Sequence, residues 1–302
     1  MTASAVPAAP TLVVSDLDGT LVTSAERVSP RACAVINRLV AAGTTFIPAS
    51  GRPARWMLPV IEQLGLRPMC VCANGAVVYD SASDRITYAA ELPADVLARV
   101  TATISEATGP WLADQGLPPV TFAAERAGRS AFDRADELFA VQPEYPHAWD
   151  TEEHSVEPLD ALCSVPAVKL LVRHEAMESS ELFDLVNPVV DPTVAHVTWS
   201  FSGGLLEVNV PGVSKLSGVA HALGDVDDHG AAPGAPGARV VPALDPSRVV
   251  AFGDMPNDVA MLRWAGTGVA MGNAVDEVMA IADHCTSSND DDGVAEVLEQ
   301  WF

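Results

Sequence analysis

Residues 11–21 read TLVVSDLDGTL. A short, β-rich apolar run ends in two aspartates at i and i+2, Asp16 and Asp18, followed by Gly19 and Thr20. The run has the length of a buried strand. An acidic, glycine-containing loop at its far end lies where open α/β sheets gather ligands, outside the carboxyl ends of parallel strands. The surrounding pattern predicts that the strand is parallel. SPRACAVINRLVAAG (29–43) carries a helix start, with Ser29 as N-cap and Pro30 in first position, and Gly43 at its far end. TTFIPASGR (44–52) repeats strand and polar loop, ARWMLPVIEQLGL (54–66) is a second helix with Pro59 in its middle, and MCVCANGAVVYD (69–80) is another strand with a turn at Asn74-Gly75. Strands alternating with helices predict βαβ units around a parallel sheet.

The rhythm returns near the C-terminus. SRVVAFGD (247–254) and TGVAMGNA (267–274) read as strands, and PNDVAMLRWAG (256–266) and AVDEVMAIADH (274–284) as helices. The two stretches read as halves of one doubly wound, Rossmann-like α/β core, 1–84 with 208–302. Between them the texture changes. LPADVLARVTATISEAT (92–108) and EAMESSELFDLVN (175–187) are helix candidates, PPVTFAAE (118–125) and VPAVKLLVRH (165–174) strands, and VAHVTWSF and LLEVNV a hairpin around Ser202-Gly203-Gly204. Residues 85–207 therefore read as an inserted α+β domain. Residues 225–246 are rich in Gly, Pro and Ala, and their central part reads as a mobile surface loop.

Composition narrows the function classes. The 302 residues are 49% hydrophobic, enough to build a core, and no apolar run is long enough to span a membrane. Seventeen Lys and Arg against 40 Asp and Glu give a formal charge of -23, which repels nucleic acid and anionic membrane surfaces but leaves room for a small phosphorylated substrate if a divalent cation reverses the local sign. Five cysteines without a C-x-x-C pair indicate neither a disulfide framework nor a zinc ribbon, and Cys70 and Cys72 read as small buried strand residues. The histidines show no metal-ligand spacing. MTASAVPAAP at the N-terminus lacks a basic region and reads as a disordered leader, so a cytoplasmic location is expected. Nothing in the sequence points to a protein partner.

Four sites carry candidate chemistry, and each alone has a plain structural alternative. Asp16 and Asp18 fit an Asp-rich turn as well as a paired-carboxylate site. They do not open a calcium loop, because Thr20 holds its fifth position and Arg27 its twelfth, where a glutamate is required. Ser50-Gly51-Arg52 can hold an anion through a hydroxyl and backbone N–H groups, or Ser50 can be an ordinary N-cap. Lys215 is one of only two lysines, with Lys169, in a chain that otherwise uses arginine, which fits a site needing a compact point charge or a chance surface position. Asp254, Asn257 and Asp258 in GDMPND follow a strand and either form a second acidic site or cap the next helix.

Their order is more telling than any one of them. Strand–DxDGT, strand–SGR, Lys, strand–GDxxND resembles the haloacid dehalogenase-like superfamily, and nearly the whole chain resembles its Cof-type phosphatase branch; NGAVVYD, GVAMGNA and DHCTSSNDDDGVAEVL add to the likeness. Asp16 and Ser50 are 34 residues apart, too few for a cap domain, whereas Ser50 and Lys215 are 165 apart, enough for one. The resemblance implies that the insertion is a cap closing over the site. It also implies that Asp16 is a nucleophile forming an aspartyl-phosphate, Asp18 the general acid and base, and Lys215 a charge-neutralising catalytic residue. Ser50, Gly51, Arg52 and Asn257 would bind the phosphate, and Asp258 would support Lys215 or a metal-bound water. Four carboxylates facing a phosphate dianion call for a hard cation, and all-oxygen ligation by Asp16, Asp254 and the Asp18 carbonyl suits Mg2+ better than Zn2+. The expected reaction is hydrolysis of a small phosphorylated metabolite such as a sugar phosphate. A sugar phosphomutase using the same nucleophile and a non-catalytic metal-binding relative are the alternatives; a dehalogenase is disfavoured by Asp18. Cof-like caps are associated with sugar phosphates, nucleotides, flavin mononucleotide and pyridoxal phosphate. The cap aromatics Trp111, Trp149, Trp199 and Phe201 are expected to pack in its core, the last two on one strand face with period two.

Overall fold

The structure is a computed structural model that describes residues 8–147, 153–224 and 245–302. The expected surface loop at 225–246, most of the N-terminal leader and Trp149 fall largely or wholly outside the described residues.

The first half opens with β1 (Leu12–Ser15), α1 (Pro30–Ala41), β2 (Thr45–Pro48) and α2 (Leu58–Leu64). Ser29 caps α1 as expected, its side chain accepting from the Ala32 N–H at 3.0 Å with Pro30 in the first turn. Pro59 does not interrupt a helix but helps to start one. A separate 3-10 turn spans Ala54–Trp56, and α2 begins at Leu58 with Pro59 in its first turn, where the missing N–H costs nothing. A hairpin of β3 (Met69–Cys72) and β4 (Val77–Asp80) follows, extended by β5 (Arg85–Ala89) into a three-stranded antiparallel sheet. A parallel bridge from Ala49 to Val71 ties β3 to the end of β2.

The middle of the chain holds α3 (Ala94–Asp114), β6 (Thr121–Glu125), α4 (Ala135–Leu138), β7 (Phe139–Val141), β8 (Ser155–Val156), α5 (Leu159–Leu162), β9 (Lys169–Arg173), α6 (Ser179–Val186), β10 (His196–Thr198) and β11 (Leu205–Asn209). The strands make one six-stranded sheet in the order β10-β11-β9-β6-β7-β8, and β10 and β11 form the expected hairpin. Helix α3 runs on through Pro110 to Asp114, six residues beyond the sequence expectation. Leu112 is buried in the same stripe as Ile104 and Thr108, and the carbonyl that Pro110 leaves without a partner belongs to exposed Glu106, where water can serve it.

The chain then returns through α7 (Lys215–Leu223), β12 (Val249–Gly253), α8 (Val259–Trp264), β13 (Thr267–Ala270), α9 (Asp276–Ile281), β14 (His284–Cys285) and α10 (Gly293–Leu298). The parallel sheet has the order β14-β13-β12-β1-β2, with β1 at the centre of the two halves. Alternation along the strands separates two cores. Val13, Val250 and Phe252 pack with α1, α2 and α10, while Leu12, Val14, Val249 and Ala251 pack with α7, α8 and α9. Helices therefore cover both faces, the doubly wound arrangement expected of near-continuous apolar strands. In the six-stranded sheet only one face is covered by α3 and α6, through Phe122, Ala124, Leu170, Val172, Leu206 and Val208. The opposite face carries Glu125, Lys169, Leu171 and Glu207. Among the described residues no helix is long and apolar enough to cross a membrane.

Candidate active site

Three loops at the carboxyl ends of neighbouring parallel strands, together with the start of α7, meet at one point. Asp16 follows β1, Ser50 follows β2, and Asp254 follows β12. Lys215, the first residue of α7, is 1% exposed and reaches in to donate to Asp16 Oδ1 at 2.5 Å and Asp258 Oδ1 at 2.7 Å. Ser214 fixes its origin, because the Ser214 and Ser217 side chains accept each other's backbone N–H groups. The surface alternative for Lys215 is thereby overturned. Asp258 serves both readings: its Oδ2 accepts from the backbone N–H groups of Asp254 and Met255 at 3.0 and 3.1 Å, capping the 3-10 turn Pro256–Asp258 that leads into α8, while its Oδ1 accepts from Lys215.

Asp16, Asp254 and Asp258 present carboxylate oxygens within 4.8 Å of one another. Burial raises the Asp16 carboxyl well above the usual carboxylate range, opposed by Lys215 and reinforced by Asp258, Asp254 and Asp18. Burial and the Asp258 charge push Asp254 up to about 7. Burial pulls on Lys215 in the downward direction, but Asp16 and Asp258 more than offset it and raise its pKa. Three carboxylates against one ammonium leave negative charge uncompensated in a buried place. With only hard oxygen donors on offer, the cluster fits a hard divalent cation.

The DxDGT loop can approach this cluster because of Gly19. Its φ is +77, and a Cβ there would collide with the Asp254 carboxylate. Thr20 donates its hydroxyl to Asp254 Oδ1 at 2.9 Å, and the Asn273 amide donates to the Gly19 carbonyl at 2.8 Å. The late acidic segment holds the same loop from outside, with Asn289 donating to the Val22 carbonyl and Asp290 accepting from Ser24. Asp18 sits apart from the three-carboxylate cluster. Its side chain is 54% exposed and is gripped by Arg52 in a two-point contact, Nε to Oδ2 at 2.8 Å and Nη2 to Oδ1 at 2.5 Å. Arg52 thus meets Asp18 in this structure, with its own N–H donating to Ser50 Oγ at 3.1 Å. The Ser50 loop is pinned to the β3–β4 hairpin, as Asn74 N–H donates to the Ser50 carbonyl and Ala73 N–H to that of Arg52. Asn257 donates to Asn74 Oδ1 at 3.0 Å and lines the cavity.

Above these residues lies a cavity of about 520 Å³, lined from below by Asp16, Asp18, Ser50, Gly51, Arg52 and Asn257 and from the far side by the face of the six-stranded sheet opposite α3 and α6, where Tyr145 packs with Ala123, Val141, Leu171 and Leu205. On that far side are residues the sequence reading did not assign. Glu125 pairs with Arg55 through two contacts at 2.5 and 2.9 Å. Lys169 donates to Glu207 Oε1 at 2.5 Å and to the Gly51 carbonyl at 2.6 Å, and Ser200 donates to Glu207 Oε2 at 2.8 Å. The signal was present in the sequence: TFAAE, KLLVR and LLEVN each put a charged residue on the strand face opposite the apolar one. The expectation for the aromatics is corrected in part. Trp199 is half-buried against the core of this sheet. Phe201, past the end of β10, is 36% exposed and lines the cavity, so the two do not share a buried strand face. Trp111 is 43% exposed on the outer side of α3. Cys70 and Cys72 are fully buried, as expected.

The sequence profile of the haloacid dehalogenase-like hydrolases matches residues 13–227 and 242–298. The 5-amino-6-(5-phospho-D-ribitylamino)uracil phosphatase YitU of Bacillus subtilis is 29% identical over 304 residues, spanning 97% of this chain and 98% of the relative. The HMP-PP phosphatase of Serratia proteamaculans is 29% identical over 298 residues, spanning 96% and 95%. Among solved structures, a haloacid dehalogenase-like hydrolase from Bacteroides thetaiotaomicron shares the fold with a TM-score of 0.68 at 23% identity, covering 97% of this chain and 100% of the other. The order of the acidic loops along the parallel sheet and the near full-length profile match lead to one conclusion: the chain belongs to the haloacid dehalogenase-like hydrolases, as an enzyme of their Cof-type phosphatase branch.

Proposed function

We propose that this protein hydrolyses the phosphomonoester of a small phosphorylated metabolite, a sugar phosphate or a compound of similar size, through a phosphoryl-aspartate at Asp16, with Mg2+ as cofactor. The observation that carries the reading is the buried contact of Asp16 with Lys215 inside a three-carboxylate cluster that opens onto the cavity. Asp16, Asp254 and the Asp18 carbonyl would hold the cation, which when bound supplies positive charge to offset the phosphoryl oxygens.

In the first step an Asp16 carboxylate oxygen forms a bond to phosphorus as the bond to the leaving oxygen breaks, and Asp18 gives that oxygen a proton. In the second, water attacks the same phosphorus, Asp18 takes its proton, and Asp16 leaves as carboxylate with release of inorganic phosphate. Lys215 stays charged throughout and stabilises the charge that shifts between carboxylate and phosphoryl oxygens. Arrival of the phosphoryl group offers Arg52 a second acceptor. Transfer of the guanidinium from Asp18 to phosphate frees Asp18 to pick up the proton it must deliver. Ser50, Gly51 and Asn257 orient the phosphoryl oxygens, and Asp258 holds Lys215. The six-stranded sheet with α3 and α6 acts as a cap whose other face closes the cavity around the leaving group; Arg85–Ala89, read from the sequence as the start of the insertion, instead pairs with β4 beside the parallel sheet.

Phosphate release from a panel of sugar phosphates and related monoesters tests the reading. Activity is expected with Mg2+, loss on EDTA treatment and recovery on adding Mg2+ back. Full activity in metal-stripped protein would contradict the charge argument, and no phosphate release from any monoester would contradict the function.

A further inference from the structure

The cavity has a charge pattern that bears on which leaving groups it accepts. Three cations line it: Arg52, Arg55 and Lys169. Each is already held by a carboxylate: Arg52 by Asp18, Arg55 by Glu125, and Lys169 by Glu207. The last two pairs are buried, with side-chain exposures of 10 and 7% for Arg55 and Glu125 and of 6 and 4% for Lys169 and Glu207. Lys169 also donates to the Gly51 carbonyl and Glu207 also accepts from Ser200, whereas the Arg55 Nε–H is buried without a partner among the described residues. Glu26 adds a further acid to the lining, and its charge also acts on Arg52. Trp56, Phe139, Leu171 and Phe201 give the rest of the wall an apolar character.

A substrate phosphoryl group would have the carboxylate-bound cation, Lys215 and, once it leaves Asp18, Arg52 to meet it. A second anionic group, carried on the leaving portion, meets only cations that are already neutralised, and carboxylates. Breaking a buried pair to serve it leaves a glutamate uncompensated in a low dielectric, and placing it beside that glutamate is repulsive. Hydroxyl and amide groups meet no such penalty, because Glu207, Glu125 and Ser200 can accept or donate locally.

We infer that the Arg55–Glu125 and Lys169–Glu207 pairs make this chamber selective for monophosphates whose leaving group is uncharged, polar and apolar-faced, and that they exclude bisphosphates and phosphorylated carboxylates. The inference rests on the phosphatase reading above and also separates it from a mutase, whose cycle requires a bisphosphate in the same chamber. Glu207 and Glu125 act on specificity by occupying the cations.

The test uses two near-isosteric aryl esters that differ by one charge, 4-carbamoylphenyl phosphate and 4-carboxyphenyl phosphate, with the full-length Mg2+-loaded enzyme. The wild type is expected to favour the amide by about tenfold or more in kcat/KM. Glu207→Gln, which releases Lys169, is expected to narrow that ratio by about tenfold, and Glu125→Gln to narrow it through Arg55 in the same way. Equal kcat/KM for the two esters in the wild type overturns the inference and leaves the phosphatase reading standing. Hydrolysis of neither ester overturns the inference, and the phosphatase reading falls with it only if no sugar phosphate or other monoester of the panel releases phosphate either. Should one variant not fold, the wild-type ratio and the other variant decide. A ratio unmoved in a folded variant removes that pair from the account.

Discussion

Asp254 shows most directly how closely the site crowds its carboxylates. Its carboxyl is pushed up to about 7 by burial and by Asp258, above its ordinary 3.8. Between those values the folded protein binds a proton that the unfolded chain does not. The stabilisation from protonated Asp254 is therefore fully present below the unfolded value and lost as pH rises through about 7. In EDTA, thermal melts of wild type and Asp254→Asn should diverge with rising pH, the wild type losing ground to the variant, and Mg2+ should restore the wild type alone at the alkaline end. A difference in melting temperature that stays flat across that range would contradict the assignment. At this scale the meeting of Asp16, Lys215, Asp254 and Asp258 was legible in the order of the motifs along the chain, whereas the pairing of Asp18 with Arg52 was not. The sequence was silent on Thr20, Asn74 and Asn273, whose roles depend on loops far apart in the chain meeting at one place.

The elements were mostly readable because their signals are local. Ser29-Pro30 announces α1, and apolar runs of four or five residues announce the parallel strands. Replacing Ser29 with alanine removes an acceptor for the Ala32 N–H and is expected to cost about 1 kcal/mol of stability. Urea titration should show this as a lower midpoint with unchanged slope, while kcat stays at the wild-type value because α1 lies on the sheet face away from Lys215. An unchanged midpoint would mean that the cap does not hold the helix. Readings failed where a local signal competed with packing. The helix read over 92–108 ends short of Pro110, but buried Leu112 carries α3 past it, and Pro59, read in the middle of a helix, opens α2.

At the scale of the molecule, doubly wound topology brings residues separated by as many as 234 positions to one point. The six-stranded sheet presents its helix-free face across the cavity. That second placement was not legible, since the charged residues in TFAAE, KLLVR and LLEVN mark a polar strand face without saying whether it meets solvent or the Ser50 loop. Lys169 settles this by donating to the Gly51 carbonyl. The central claim, that Asp16 carries the phosphoryl group, is tested most directly by rapid-quench incubation with a 32P-labelled monoester, followed by peptide mapping of the acid-quenched protein. Label is expected on the peptide containing Asp16, appearing before free phosphate and absent from Asp16→Asn. Phosphate released at full rate by Asp16→Asn, or steady turnover with no label on that peptide, would contradict the account.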